Sequence, residues 1–273
     1  MSDKVWFITG ASKGFGREWA EAALERGDRV AVTSRNAASL APLVEKYGDA
    51  VLPIELDVRD EVAAGAAVRQ VAEHFGSLDV VINNAGYGLF GMVEEVTPEQ
   101  VREQVETNLY GPYWITQAAL PIMREQKSGH ILQVSSIAGV YALPGLGGYH
   151  ASKFGLEGFT SSLALEVKGF GIKVTLVEPG GYATDWAGPS AIHAEQNPAY
   201  DDFRAANAAR PHGRRGDPTA TRAAILAVVD SPEPPLRIFL GPTPLPVIKQ
   251  EYAARISEWE AWNEVSTAAF GEE

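Results

Sequence analysis

Apolar and polar positions alternate in blocks along most of the chain. Seven short apolar runs, at 5–9, 29–33, 50–56, 78–82, 130–134, 173–177 and 237–240, read as buried strands. Between them a helical period predicts helices from Gly14 to near Gly27, over 39–46, over 61–75 with Gly76 closing it, and from about Tyr149 to Val167. Thr97-Pro98-Glu99-Gln100 has the form of a capping box with proline at the first helical position. Its helix runs toward Asn108, and another continues to about Lys127. Asp217-Pro218 caps a further helix, and 246–270 reads as a C-terminal one with Tyr252, Ile256, Trp259 and Asn263 on a stripe suited to core or interface packing. Strand and helix in alternation imply parallel pairing with right-handed crossovers. The expected class is α/β: a doubly wound parallel sheet of about seven strands, helices on both faces, in one domain over 1–273.

From Tyr182 to Gly216 the periodicity fades, and proline, glycine and asparagine become frequent. A loop this long in a compact domain is usually functional, so 182–216 is expected to be a substrate loop or lid. Tyr182 and Trp186, with Leu89, Phe90, Val140, Tyr141 and Leu143, would line an apolar substrate pocket. Arg210, His212, Arg214 and Arg215 read as a solvated loop, and His150 and His193 as surface or packing residues.

Composition narrows the partners. Apolar residues make up 45% of the 273, ample for a core, and the net charge is −12. That balance argues against nucleic acid and anionic membranes, which recruit basic patches. With no cysteine there is no disulfide, thiolate nucleophile or Cys-ligated metal, and no cluster has metal-ligand spacing. A strand starting by residue 4 leaves no room for a signal peptide, and no run is long enough to span a membrane; a cytoplasmic protein is expected.

The candidate chemistry sits where strands end. Gly10, Gly14 and Gly16, with Ser12, Lys13 and Phe15 among them, lie between the first strand and first helix. Glycines there let backbone N–H groups approach a pyrophosphate at a helix N-terminus. The second strand ends in Ser34-Arg35, where an NAD site usually has an acid for the ribose hydroxyl. Arg35 and Lys13 suit a 2′-phosphate instead, which favours NADP(H) over NAD(H). After the strand at 130–134 come Ser136, a loop with Pro144 and three glycines that should exclude regular structure, then Tyr149 and Lys153 on one helical face. A Tyr-x-x-x-Lys pair alone is compatible with simple packing. Ligands of doubly wound sheets, however, bind beyond the strands' carboxyl ends, and Gly10, Ser34, Asp57, Asn84, Ser136 and Pro179-Gly180 all fall there.

Together, Thr9-Gly-x-x-x-Gly-x-Gly16, Asp57-Val58, Asn83-Asn84-Ala85-Gly86, Asn108, Ser136, Tyr149-x-x-x-Lys153 and Pro179-Gly180-x-x-x-Thr184 resemble the short-chain dehydrogenase/reductase family, of the NADP-preferring ketoreductase type. The resemblance implies a Rossmann-like fold and reversible NADPH-dependent reduction of a ketone or aldehyde. It implies Tyr149 as acid/base, Ser136 on the substrate oxygen, Lys153 on the nicotinamide ribose, Asn108 anchoring a water, and Thr184 at the nicotinamide amide. Lys153 would also lower the Tyr149 pKa; moving a phenol from ~10 to ~7 takes about 4 kcal/mol. The glycine loop, Ser34, Arg35, Asp57, Val58, Asn84, Ala85, Gly86, Pro179 and Gly180 would hold the cofactor. A homodimer or homotetramer is implied, its contact including the small-residue face Ala151, Gly155, Gly158 and Ser162. The rivals are an epimerase or dehydratase of the same superfamily, and an NADPH-binding sensor without turnover; the full Ser136, Tyr149 and Lys153 set argues against the second.

Overall fold

A computed structural model describes residues 3–188, 190–209 and 213–271, so Arg210 and His212 lie outside the described residues. In chain order the elements are β1 (Val5–Ile8), α1 (Gly14–Glu25), β2 (Arg29–Ser34), α2 (Ala41–Tyr47), β3 (Val51–Glu55), α3 (Glu61–Phe75), β4 (Val80–Asn83), β5 (Leu89–Phe90), α4 (Pro98–Val105) and α5 (Gly111–Gln126). There follow β6 (Gly129–Val134), α6 (Gly147–Glu166), β7 (Ile172–Pro179), β8 (Ile192–His193), α7 (Asp201–Ala208), α8 (Arg222–Asp230), β9 (Arg237–Leu240), α9 (Pro244–Ala261) and α10 (Asn263–Ala268).

Seven strands form one parallel sheet in the order β3-β2-β1-β4-β6-β7-β9. The chain builds outward from β1 to β3, then returns to start the other half at β4. The crevice between β1 and β4 is therefore the switch point where such folds bind ligands. Strand alternation decides the two cores. Trp6 and Ile8 of β1 face the side covered by α1, α2 and α8, together with Trp19, Val32 and Ile225. Val5 and Phe7 face the side covered by α3, α5 and α6, together with Val68, Ile115 and Leu163. Trp6 and Phe7 are fully buried, each contributing about 1.5–3 kcal/mol by removal from water.

Local signals set the helix ends. Asp60 accepts a hydrogen bond from Ala63 N at 2.9 Å to open α3, and Gly76 closes it at φ 85°. Thr97 and Gln100 form the reciprocal box at 3.2 and 2.9 Å. Asn108 sits not in an α-turn but in a π-helical turn, Glu106–Tyr110, joining α4 to α5.

Three regions depart from the sequence expectation. Helix α6 starts at Gly147, so two of the loop glycines are helical. In a first turn the N–H groups lack intrahelical partners, so glycine costs little there, and Leu89 packs where a Gly148 Cβ would lie 3.3 Å away. The 182–216 stretch is not without structure. Strand β8 pairs in parallel with β5, and α7 is fastened below it by Arg204 to the Glu95 carboxylate at 2.7 Å. Met92 N and Asn197 N also donate to Glu95, which holds its pKa down at about 2. Finally, the C-terminal stripe is exposed rather than core: Trp259 is 64% accessible. No helix among the described residues is long and apolar enough to cross a membrane.

Candidate active site

A cavity of about 650 Å³ runs along the carboxyl ends of the strands, across the switch point. Its floor is the glycine loop. Gly10 adopts φ +65°, and a Cβ there would come within 2.9 Å of Ala85 Cα; at Gly16 it would meet Gly10 O at 2.6 Å. Only glycine lets the β1 and β4 loops close on each other in this way. Asn84 ties them, its Nδ2 donating to Thr9 O at 2.8 Å and Gly10 O at 3.0 Å. Thr9 Oγ1 accepts in return from Asn84 N and Ala85 N. Helix α1 points its N-terminus at this loop with no acidic residue in its first turn, as an anion site requires.

The predicted cofactor residues Gly10, Ser12, Lys13, Gly14, Phe15, Ser34, Arg35, Asp57, Val58, Asn84, Ala85, Gly86, Pro179, Gly180 and Thr184 all line the cavity. Gly16 supports it from behind. Lys13 has a partner that sequence reading missed: its Nζ lies 2.9 Å from Asp185, bridging the glycine loop to the substrate loop. This leaves Arg35 at the end of β2, and a second cation, Arg59, beside it on the cavity wall. Arg59 grips both carboxylate oxygens of Asp57 at 2.6–3.0 Å, the first cause that holds the Asp57 pKa below its ordinary value.

Ser136, Tyr149 and Lys153 meet at the end of β6. Lys153 Nζ donates to Val134 O at 2.7 Å, and burial pushes its ammonium down to about 8. The Tyr149 phenol is buried and pushed well above its ordinary value by desolvation, with the Ser136 hydroxyl and Trp186 indole opposing. The direction is opposite to the lowering implied by the family resemblance: the Lys153 ammonium is engaged by the Val134 carbonyl, and desolvation of the phenol dominates. Asn108 is fully buried, accepting from Tyr87 N at 3.2 Å and donating to Tyr87 O and Ser152 Oγ. Gly86 lies between it and Lys153; a Cβ would stand 3.0 Å from Asn108 Oδ1 and 3.8 Å from Lys153 Nζ.

The substrate-side residues are only partly gathered. Trp186 packs at 5.0 Å from the Tyr149 ring and 5.2 Å from Phe90, and its buried indole Nε1 faces the Tyr149 phenol without reaching ordinary hydrogen-bond geometry. Tyr182 also lines the cavity, set edge-on to Phe15 at 5.1 Å. Leu89 and Val140 are buried behind this wall, while Leu143 is half-exposed. Tyr87, which sequence reading passed over, lines the cavity with its hydroxyl buried and unpartnered. His150 is a packing residue, tying Ala138 O and Leu143 together at 2.7–3.1 Å. His193 stacks on Phe90 at 5.0 Å. Arg215 reaches the cavity rim.

A glycine cradle facing a helix N-terminus, cations beyond β2, and unpartnered polar atoms beside a buried phenol fit a nicotinamide dinucleotide. The fold and site thus define a dinucleotide-dependent oxidoreductase. A family model described as short chain dehydrogenase matches residues 4–194. The chain is 42% identical to oxidoreductase BOA17 of Botryotinia fuckeliana, over 97% of this chain and 99% of that protein. A short-chain dehydrogenase structure from Streptomyces avermitilis superposes with a TM-score of 0.91 at 38% identity, covering 98% of each chain. A metagenomic short-chain oxidoreductase solved in complex with NADP superposes at 0.72 with 26% identity, over 89% of this chain and 99% of that one. The protein belongs to the short-chain dehydrogenase/reductase family, whose members carry out NAD(P)-dependent interconversion of alcohols and carbonyl compounds.

Proposed function

We propose that the protein reduces an apolar ketone or aldehyde to the alcohol with NADPH. The observation that carries this is the buried, protonated Tyr149 phenol beside Ser136 at the end of β6, with Lys153 one helical turn on. A proton donor held neutral at pH 7 suits the reduction direction, where the carbonyl oxygen must gain a proton. Bound nicotinamide would supply the hydride to the carbonyl carbon. Ser136 orients the carbonyl oxygen toward Tyr149, Lys153 holds the ribose, and the wall of Trp186 and Tyr182, with Phe90 packed behind Trp186, keeps water out. The Trp186 N–H is a further donor for a substrate oxygen.

NADPH is favoured over NADH by Arg35 with Ser34 at the end of β2, where an acid would select the ribose hydroxyl. The NADP bound in the metagenomic relative is consistent with this. Lys13, committed to Asp185, leaves Arg35 as the main 2′-phosphate contact. The exposed small-residue face of α6, at Ala151, Gly158 and Ser162 beside Phe154, supports a homo-oligomer built on α5 and α6. The absence of cysteine suits a cytoplasmic enzyme.

Cofactor oxidation over aliphatic, aryl and steroidal ketones, with NADPH and NADH in parallel, tests the reading. Expected is at least a tenfold NADPH preference in kcat/KM, about 1.4 kcal/mol, reversed by Arg35→Asp. Equal use of both cofactors would remove the role assigned to Arg35. Tight cofactor binding with no carbonyl turned over would favour a sensor.

A further inference from the structure

The C-terminal helix is built as if something covers it. Through its first half α9 rests on the body at Pro244 and Ile248. From Ile256 to Gly271 no side chain is buried, so the last turns of α9 and all of α10 project from the domain. Helices α9 and α10 nevertheless carry large apolar groups on their exposed side: Leu245 is 50% exposed, Tyr252 42%, Ile256 48%, Trp259 and Trp262 64% and Val265 60%. At about 150–250 Å² for each aromatic side chain, Leu245, Tyr252, Ile256, Trp259 and the flanking Trp262 leave roughly 600 Å² of contiguous apolar surface in water. A monomer rarely exposes more than a few hundred Å² in one patch, and roughly 800 Å² per partner is what a standard interface buries.

Position and charge point to one occupant. Leu245, Tyr252, Ile256, Trp259 and Asn263 follow steps of seven, four, three and four residues, so they form one narrow seam. Arg255 is paired with Glu251 on its own helix at 3.3 Å, which leaves Lys249 as the cation of the first half, while Glu258, Glu260 and Glu264 lie at the far end. In a parallel pair the acidic ends would meet. In an antiparallel pair the acidic end of each helix meets the basic part of the other. A two-fold axis near Ala254 sets Tyr252 against Ile256 and Leu245 against Asn263, with Lys249 beside Glu260. A shallow groove framed by Ile256, Trp259, Glu260 and Asn263 lies where the other copy's Leu245–Tyr252 stretch would run. The four glutamates flanking the seam, Glu251 included, disfavour an anionic lipid surface.

We propose that α9–α10 pairs antiparallel with the same helices of a second copy of this chain, forming an interface separate from the α5–α6 face. Because Ile256 and Trp259 touch no core residue, Ile256→Glu/Trp259→Glu leaves the domain folded. Sedimentation velocity of the full-length protein is the test, with circular dichroism as the folding control. The parent is expected to sediment at twice the mass of the double variant. Lys249→Glu is expected to weaken the association at least tenfold, and Lys249→Glu/Glu260→Lys to restore it. An unchanged mass in the folded double variant would overturn the proposal. So would binding of the parent to phosphatidylserine vesicles in place of self-association.

Discussion

Tyr149 and Lys153 occupy opposite ends of one electrostatic problem. Burial raises the phenol and lowers the ammonium to about 8, so at pH 7 both are protonated. If Lys153 holds the nicotinamide ribose as a cation, as proposed, NADPH affinity of the free protein should hold through pH 7 and fall as pH rises past about 8, when that proton leaves. Fluorescence titration of NADPH from pH 6 to 9.5 reads this directly; a flat affinity through pH 9.5 would contradict it. Trp186→Phe keeps the aromatic wall and removes one N–H, so kcat/KM is expected to drop about 2- to 13-fold, as for one net hydrogen bond. No change would mean that the indole N–H never meets substrate. The gathering of Ser136, Tyr149, Lys153 and the glycine loop at one cavity was legible because the strand ends and one helical face fix it locally. The Lys13–Asp185 pair was not, since its members are far apart in sequence and meet only when the loops close across the cleft. Arg59 was hidden for a different reason: its role comes from gripping Asp57, and an arginine after an aspartate looks like any exposed ion pair.

At the scale of elements, the strands were read nearly residue for residue because a strand buried on both faces has no polar alternative. Helix starts were legible wherever a side chain caps them, as at Asp60 and Thr97. Replacing either with alanine is expected to cost ~1 kcal/mol, seen as a lower urea midpoint; an unchanged midpoint at both would show that the caps carry no weight. The flap formed by β5, β8 and α7 was illegible because β5 and β8 are two residues each, and α7 is held by the distant Glu95 rather than by an apolar stripe. Glu95→Gln removes the charge that gathers Arg204, Met92 and Asn197. Substrate KM should rise at least fivefold with kcat nearly unchanged; equal KM would show that the flap does not depend on this anchor.

Glu178 and His130 are buried titratable groups away from the reaction, and each ties stability to pH. Burial, with help from Glu157, pushes Glu178 up to about 8 from an ordinary 4.5, so the folded protein keeps a proton that the unfolded chain releases. Stability therefore falls as pH rises from 4.5 toward 8. Burial also pushes His130 down to about 3 from 6.5; the unfolded chain binds a proton there first, and stability falls as pH drops from 6.5 toward 3. Glu178→Gln should flatten the alkaline fall, so that its melting temperature changes less than the parent's between pH 6 and 8.5. Equal changes would show that Glu178 is already ionised in the folded protein. The measurement closest to the central claim is single-turnover oxidation of bound NADPH by a ketone substrate in Tyr149→Phe against the parent protein. The phenol as proton donor requires unchanged NADPH affinity and a rate lowered by about 10²–10⁴. A rate within a few-fold of the parent's would contradict it and move the proton donor elsewhere.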